Sequence, residues 1–262
     1  MRREDPLPRP QLAIPVAVVK KAFETAQKSN CPKTKATADL IIIAFYYLLR
    51  VGEYTKPRYK NYNGKRIKSS RTVQFSVKDV GFHKDTNVLD PAKISSDLLL
   101  ECTSATMRIG NQKNGRMGQT IHQEAIKDVD DGPTQAMARR ISQILADGGN
   151  GDTLICDYKT TLDGPWLSVT ANDIISMVRD TVKSLNLHRQ GIDPDLVGAH
   201  SLRAGGAVAL KLHGYSDTTI MKQGRWSGLT FLMYIHNQIA HLSHDLSQKM
   251  STELPFINIA KF

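Results

Sequence analysis

AHSLRAGGAVALKLHGYSDTTIMKQGRWSGLTFLMYIH, from Ala199 to His236, is the stretch around which the rest of the chain is interpreted. His200 and Arg203 are three residues apart, so on a helix they share one face. A Gly-Arg-Trp turn then presents Trp226, and a second helical run carries Tyr234. The pattern therefore predicts two helices, joined through a short helical step, that deliver a His, an Arg, a Trp and a Tyr. Two glycines mark the expected helix ends: Gly214 and Gly224.

The length and composition indicate an ordinary globular protein. The chain has 262 residues, 40% of them hydrophobic, which suits one large domain or two small ones. The strongest apolar run, Ala38 to Leu49, is too short for a membrane span of roughly 20 residues. Residues 1–11 lack the apolar segment of a secretory signal. Three cysteines lie far apart without zinc spacing, so we expect an intracellular protein, nuclear if its source is eukaryotic, with no membrane partner.

The basic charge is concentrated in the first third of the chain. Residues 1–75 hold 16 Lys and Arg against 5 Asp and Glu, whereas the remainder holds 19 against 20. Such a run is either a solvated loop or a surface for a polyanion, of which nucleic acid is the common one. The densest part contains seven cations and no acid: Lys56, Arg58, Lys60, Lys65, Arg66, Lys68 and Arg71.

The periodicity predicts helices, then a small sheet, then more helices. Helical spacing favours helices over 11–28, 37–50, 133–146, from Thr170 to Leu187, and from Thr230 to about 250. The helix from Thr170 begins with a capping box that ends at Asp173.

The middle of the chain alternates apolar and polar residues. We predict a basic loop over 54–70 and strands over 71–82, 98–111 and 119–122. Asn114-Gly115 lies between the last two strands and is a strong hairpin signal. The expected fold class is α+β, mostly helical, with a small three-stranded antiparallel sheet.

The order His-x-x-Arg, then Trp after a glycine turn, then Tyr resembles the active site of the tyrosine recombinases. "HSLRAGGA", "GRWSG" and "FLMYIH" look most like the recombinases of eukaryotic mobile elements, and the resemblance covers about residues 12–250. It implies the recombinase catalytic fold. It also implies breakage and rejoining of double-stranded DNA, with no metal or other cofactor and with copies of the chain that associate with one another on the DNA.

The resemblance assigns the phosphate-binding residues. Arg50, in Leu-Leu-Arg-Val-Gly-Glu, matches the first family arginine, and Arg203 matches the second. A guanidinium is always charged and offers paired hydrogen bonds, so it suits the extra negative charge of a phosphoryl transition state. Glu53 matches the acidic residue that braces the family site.

The resemblance also assigns the groups that make and break bonds. Tyr234 would be the nucleophile and form a 3′-phosphotyrosyl intermediate. Lys113, just before Asn114-Gly115, would be the general acid for the leaving 5′-oxygen. His200 would bond the phosphate or assist proton movement, and Trp226 would donate its indole N–H and pack beneath the site.

Each residue also has an ordinary structural interpretation. Taken alone, Arg50 is a helix C-terminal cation, Lys113 is an exposed turn lysine, and Trp226 and Tyr234 are core aromatics. Gly205-Gly206 is interpreted as a close helix contact. His241 and His244 are three apart, but no carboxylate completes a metal motif. The joint occurrence of the residues in family order favours the catalytic interpretation.

The resemblance divides the chain into three parts. We expect a linker-like tail over 1–11, the catalytic domain over 12–250, and a tail over 251–262 that docks on a neighbouring protomer or on its own domain. Family members usually carry a helical DNA-clamping domain first, and we expect none within this chain. Three other functions remain open: a DNA-binding remnant that no longer recombines, a type IB topoisomerase-like enzyme, and a structural interaction domain.

Overall fold

The computed structural model describes residues 11–63, 65–68, 72–85, 87–91, 93–110, 118–228 and 231–232. Within these ranges, no helix combines the length and the apolar character needed to cross a membrane. The predicted tails, the Asn114-Gly115 turn and the helix after Tyr234 lie outside the described residues.

Two long helices and a short one open the described chain. They are α1 (Val16–Gln27), α2 (Pro32–Tyr46) and α3 (Val51–Tyr54). Pro32 occupies the first turn of α2, where its missing N–H costs no hydrogen bond. The next residues of α2, from Ala36 to Phe45, are all buried, so this helix forms the centre of the core. The predicted helix over 37–50 was wrong at both ends, because α2 starts earlier and stops before Arg50.

The basic segment is a β-hairpin and not the predicted loop. It consists of β1 (Tyr59–Tyr62) and β2 (Lys65–Lys68), paired antiparallel with Tyr62 opposite Lys65. Asn63 begins the connection with a φ of 49°, a left-handed conformation that Asn tolerates better than most residues. Asn63-Gly64 is thus a hairpin signal that the concentration of cations obscured.

The main sheet has four antiparallel strands, which corrects the prediction of three. The strands in chain order are β3 (Val80–Lys84), β4 (Asn87–Leu89), β5 (Ser104–Arg108) and β6 (Thr120–Glu124). A short helix, α4 (Ser96–Leu100), lies between β4 and β5 in the sequence. The strand order is β4-β3-β5-β6. The extra strand β4 is a three-residue edge whose middle residue Val88 is 73% exposed, so no alternating burial pattern reported it.

The other errors in this region have local causes. Ser95 caps α4 by accepting a hydrogen bond from the Leu98 N–H, so the start of the predicted strand over 98–111 is helical. Residues 72–75 are extended without belonging to a strand, and β3 begins only at Val80.

Two helices follow the sheet with a short hairpin between them. They are α5 (Pro133–Ala146), β7 (Asp157–Tyr158), β8 (Leu167–Ser168) and α6 (Ala171–Ser184). The predicted α5 is confirmed at both ends. The capping box of α6 is confirmed, since Thr170 Oγ1 accepts from the Asp173 N–H while the Asp173 carboxylate accepts from the Thr170 N–H.

The opening stretch folds into α7 (His200–Leu212) and α8 (Asp217–Gly224). Its two adjacent glycines allow α7 to lie against the N-terminal helices. A Cβ on Gly205 would collide with the Ile14 carbonyl oxygen, and a Cβ on Gly206 would collide with the Phe45 carbonyl oxygen. The predicted close helix contact is therefore confirmed, and its partners are the core segments at Ile14 and Phe45.

Candidate active site

The chain between α2 and α3 makes a sharp corner that presents Arg50. Leu48 has a φ of 49°, in the left-handed region, and Arg50 is extended with φ −82° and ψ 142°. Arg50 therefore precedes α3 and does not end α2, which corrects the interpretation of this residue as a helix C-terminal cation. The corner turns the Leu48 carbonyl and the Arg50 side chain toward α7 and α8.

Glu53 lies at the centre of an ionic cluster. Its side chain is 3% exposed, and its carboxylate accepts from the Arg50 backbone N–H at 2.8 Å and from Arg50 Nη1 at 3.3 Å. The same carboxylate pairs with both terminal nitrogens of Arg225, at 3.1 and 3.0 Å. Glu53 thus joins the α2–α3 corner to the end of α8. The bracing role of Glu53 stays a prediction, and this contact is compatible with it.

Arg225 is a site residue that the sequence analysis missed. It is 2% exposed, sits in the left-handed region with φ 58°, and also donates to the Leu48 carbonyl oxygen at 3.1 Å. Burial lowers the pKa of its guanidinium, and the negative charge of Glu53 opposes that shift. An arginine remains charged under such a shift. Its position between Gly224 and Trp226, within the stretch that carries the other site residues, is the sequence feature that could have indicated it.

Arg203 is buried beside Arg225. It projects from the first turn of α7, is 4% exposed, and donates to the backbone carbonyls of Leu48 and Gly224. Its guanidinium carbon lies 4.2 Å from the centre of the Trp226 ring, which is a cation–π contact. The two arginines therefore share one acceptor, the Leu48 carbonyl.

Trp226 is positioned by a glycine. A Cβ on Gly224 would fall inside the Trp226 indole, so this position has room only for a glycine. The Trp226 ring also lies near the Phe231 ring, with ring centres 5.4 Å apart. Trp226 is half-buried and packs on Arg203, as a residue lying beneath a phosphate site would.

His200 opens α7 close to the two predicted phosphate-binding arginines. The residue is exposed as a whole, but desolvation of its imidazole lowers its pKa, and the charges of Arg203 and then Arg50 lower it further. The imidazole is therefore mainly neutral near pH 7. It can accept a proton when an anion enters and offsets the two positive charges.

The remaining two predicted catalytic residues, Lys113 and Tyr234, lie outside the described residues. Two backbone hydrogen bonds join the described residues on either side of Lys113. The Ile109 N–H donates to the Gln119 carbonyl at 2.7 Å, and the Gly118 N–H donates to the Ile109 carbonyl at 3.0 Å. An open cleft of about 420 Å³ lies between the start of β6, near Gln119, and the turn that carries Arg225 and Trp226. Gln119 therefore lines the same cleft as Arg225.

The cluster has the electrostatics of an anion site. Three arginines and one glutamate, all described, leave a formal surplus of two positive charges in a largely buried setting. Preorganised guanidinium groups of this kind stabilise charge on a phosphoryl group without reorganising. Among the described residues, no group of three or more His, Cys, Asp or Glu side chains is arranged to hold a metal ion.

The described members of the predicted DNA-binding set lie on the β1–β2 hairpin or just before it. The side chains of Lys56, Arg58, Lys65 and Lys68 are exposed. Lys60 and Arg66 occupy paired positions of the hairpin, opposite Ile67 and Asn61. Arg71 lies outside the described residues.

Comparison with known proteins identifies the fold. No protein-family model matches the sequence, and no curated protein matches it. The structure is similar to two solved structures of the XerH site-specific recombinase. The post-cleavage complex with palindromic difH substrate has a TM-score of 0.54 at 14% identity, over 92% of this chain and 54% of that one. The pre-cleavage complex with difH substrate has a TM-score of 0.52 at 14% identity, over 95% and 56%.

This similarity shows a shared fold, and the chain spans about half the length of the XerH chains that it matches. The α+β fold expected from the resemblance is thereby confirmed, with a four-stranded sheet in place of three.

Proposed function

We propose that this chain is the catalytic domain of a tyrosine recombinase, of the kind found in eukaryotic mobile elements. The observation that carries the proposal is the shared binding of Arg203 and Arg225 to the Leu48 carbonyl, with Glu53 connecting Arg225 to Arg50. Arg50 thus meets two arginines that lie far from it in the sequence, Arg203 and Arg225. The XerH fold, seen in complexes with its DNA substrate, supports double-stranded DNA as the partner.

In the proposed reaction, the Tyr234 oxygen attacks the scissile phosphorus and the bond from phosphorus to the 5′-oxygen breaks. The tyrosine proton passes to solvent, and Lys113, in its protonated form, supplies one to the departing 5′-oxygen. Arg50 and Arg203 stabilise the charge on the non-bridging oxygens, while His200 hydrogen-bonds the phosphate or assists the proton movement. The 3′-phosphotyrosyl bond keeps the energy of the broken bond, so the reverse attack by another 5′-hydroxyl rejoins the strand.

The test is trapping on a nicked suicide substrate. The protein is incubated with nicked duplex DNA and boiled in detergent, and the covalent adduct is resolved by electrophoresis. The proposal predicts an adduct that Tyr234→Phe abolishes. Tyr215→Phe, the same change at a tyrosine that is 51% exposed, is the matched control and should keep the adduct. A wild-type protein that binds the duplex and yields no adduct would overturn the proposal.

A second function, DNA binding without cleavage, is favoured by the state of Arg203. Two of its terminal N–H groups are directed at backbone carbonyls, and the residue is 4% exposed. A guanidinium engaged in this way has fewer donors for a phosphate than a catalytic arginine uses. The same trapping assay decides between the two functions, because only the enzyme gives an adduct that depends on Tyr234.

A further inference from the structure

The β1–β2 hairpin is exposed to solvent along its described length. All the described side chains from Arg58 to Lys68 are exposed, including those of Tyr62 at 62% and Ile67 at 38%. Two-stranded hairpins are marginally stable in water unless another layer covers one face. Two exposed faces that carry apolar side chains therefore indicate a partner that contacts both.

The hairpin also carries a positive charge that is unusual for its length. The segment from Lys56 to Arg71 has seven cations and no acid. Tyr59 lies opposite Lys68 and Tyr62 lies opposite Lys65. Because Tyr59 and Tyr62 are three residues apart, they occupy opposite faces. Each face thus combines a tyrosine with a lysine, and this pairing suits a polyanion with apolar surfaces between its charges.

The root of the hairpin is fixed to the candidate active site. Gln74 Nε2 donates to the Gly52 carbonyl at 2.9 Å, and Lys68 Nζ donates to Gln74 Oε1 at 2.9 Å. The Phe75 N–H donates to the Glu53 carbonyl at 2.9 Å, and Thr55 is buried. The hairpin and the residue that joins the arginines therefore form one structural unit.

We propose that the β1–β2 hairpin is an arm that enters the major groove of duplex DNA beside the cleavage site. This role deepens the proposed function and depends on it for the location of the cut. The major groove is about 12 Å wide and admits a two-stranded ribbon. Four residues at about 3.4 Å each extend the ribbon by about 14 Å.

Within the groove, the two kinds of side chain have different tasks. Lys65, with Arg58 at the root, contacts the phosphates on the groove walls and contributes affinity that falls with salt. Tyr62, at the tip, packs against base edges and methyl groups and contributes affinity that is insensitive to salt.

The test measures binding of a fluorescent mixed-sequence duplex by anisotropy over a range of salt concentrations. Lys65→Gln is expected to reduce the slope of log K against log salt by about one. Tyr62→Ala is expected to weaken binding by about two- to tenfold with the slope unchanged. Both side chains are exposed, so neither variant threatens folding. Lys20→Gln on α1 and the exposed Leu162→Ala are the matched controls and should bind like the wild type.

Two competitors identify the groove. Methyl green, which occupies the major groove, should remove the difference between the wild type and Tyr62→Ala, and the minor-groove ligand netropsin should leave it. The opposite order would overturn the proposal. So would hairpin variants that lose binding to a single strand of the same sequence and keep binding to the duplex.

The hairpin proposal and the proposed function fail in distinguishable ways. If hairpin variants bind duplex like the wild type while the Tyr234-dependent adduct forms, the proposed role of the hairpin is wrong and the proposed recombinase function is retained. If binding depends on Lys65 and Tyr62 while no adduct forms, the arm stands as part of a DNA-binding protein and the strand transfer is wrong.

Discussion

Arg225 connects features that are far apart in the sequence, and its loss should be costly. Replacing one partner of a buried ion pair leaves the other charge without compensation, which costs about 3–5 kcal/mol. We therefore expect Arg225→Ala to lower the free energy of unfolding by at most about that amount in urea titrations, because the Glu53 carboxylate remains buried and keeps only its bonds to Arg50.

The control for this experiment is an ion pair at the surface. Lys78 and Asp152 lie 2.5 Å apart with both side chains exposed. Water screens such pairs, so Lys78→Ala should leave the urea midpoint unchanged. Equal effects of the two variants would show that the Glu53–Arg225 pair is not the structural connection described above.

His200 gives the site a dependence on pH whose sign follows from its surroundings. Its pKa is lowered in the folded chain, so the unfolded chain takes up the proton more readily near pH 6.5. The contribution of His200 to stability is therefore complete above that pH and declines as the pH falls through it. A bound phosphate offsets the charges of Arg50 and Arg203 and raises the pKa again.

DNA binding should consequently involve proton uptake at His200. We expect the affinity for duplex DNA to rise as the pH is lowered from about 8 to about 6, and this rise to be smaller in His200→Gln. His188→Gln, at an exposed histidine after α6, should retain the full rise. The measurement is anisotropy at constant ionic strength, and identical pH profiles for the wild type and His200→Gln would contradict the interpretation.

The contact of α7 with the N-terminal helices depends on Gly206. A Cβ at this position would collide with the Phe45 carbonyl oxygen and a Leu48 methyl group, and a backbone atom has little freedom to move away. We expect Gly206→Ala to destabilise the fold by about 2 kcal/mol or more, measured by thermal and urea unfolding. Gly110→Ala, where an added methyl group meets nothing within 4 Å, should be nearly neutral; a similar loss there would remove the packing explanation.

The sequence predicts helices and turns well where a local signal marks the boundary. Gly132-Pro133 and the Thr170–Asp173 box mark the starts of α5 and α6, and both helices begin where the pattern placed them, although α6 ends at Ser184 and not at Leu187. The corner at Leu48 has no such signal, because a leucine in the left-handed region runs against its own preference. The position of Arg50 therefore could not be read from the local sequence.

Separation along the sequence also decides which parts of the candidate site could be predicted. His200 and Arg203 are three apart on one helix, so their shared face follows from periodicity. The pairing of Glu53 with Arg225 joins residues 172 positions apart, and no local pattern reports a contact over that separation. The hairpin was missed for another reason: cations are poor strand formers, and their number outweighed the Asn63-Gly64 turn.

Considered across the chain, the described core is divided unequally. One large cluster of buried apolar residues extends from Ile14 to Leu202, while Ala207, Ile220 and Phe231 form a small separate cluster under α8. Few buried apolar contacts mean a low free energy of local opening. Among the described contacts, Arg203 and Arg225 join the part that holds Trp226 to the Leu48 carbonyl of the core.

This arrangement predicts uneven protection from hydrogen exchange. Backbone amides of α8 should exchange through local opening, faster than those of α2 and α5, which open only with global unfolding. Adding duplex DNA should slow exchange in α8 selectively, because a phosphate strengthens its connection to the arginines. Mass spectrometry of exchanged peptides measures both effects. Uniform protection of the three helices would show that α8 is no weaker than the core.

The Leu48 carbonyl accepts from both Arg203 and Arg225, and this limits which insertions and deletions the chain tolerates. A main-chain oxygen is present whichever amino acid occupies the position, so point substitutions that preserve the corner keep the acceptor. An inserted or deleted residue between Tyr46 and Arg50 would rotate that oxygen away from both guanidinium groups at once. Homologous chains should therefore agree in the number of residues that separate α2 from α3.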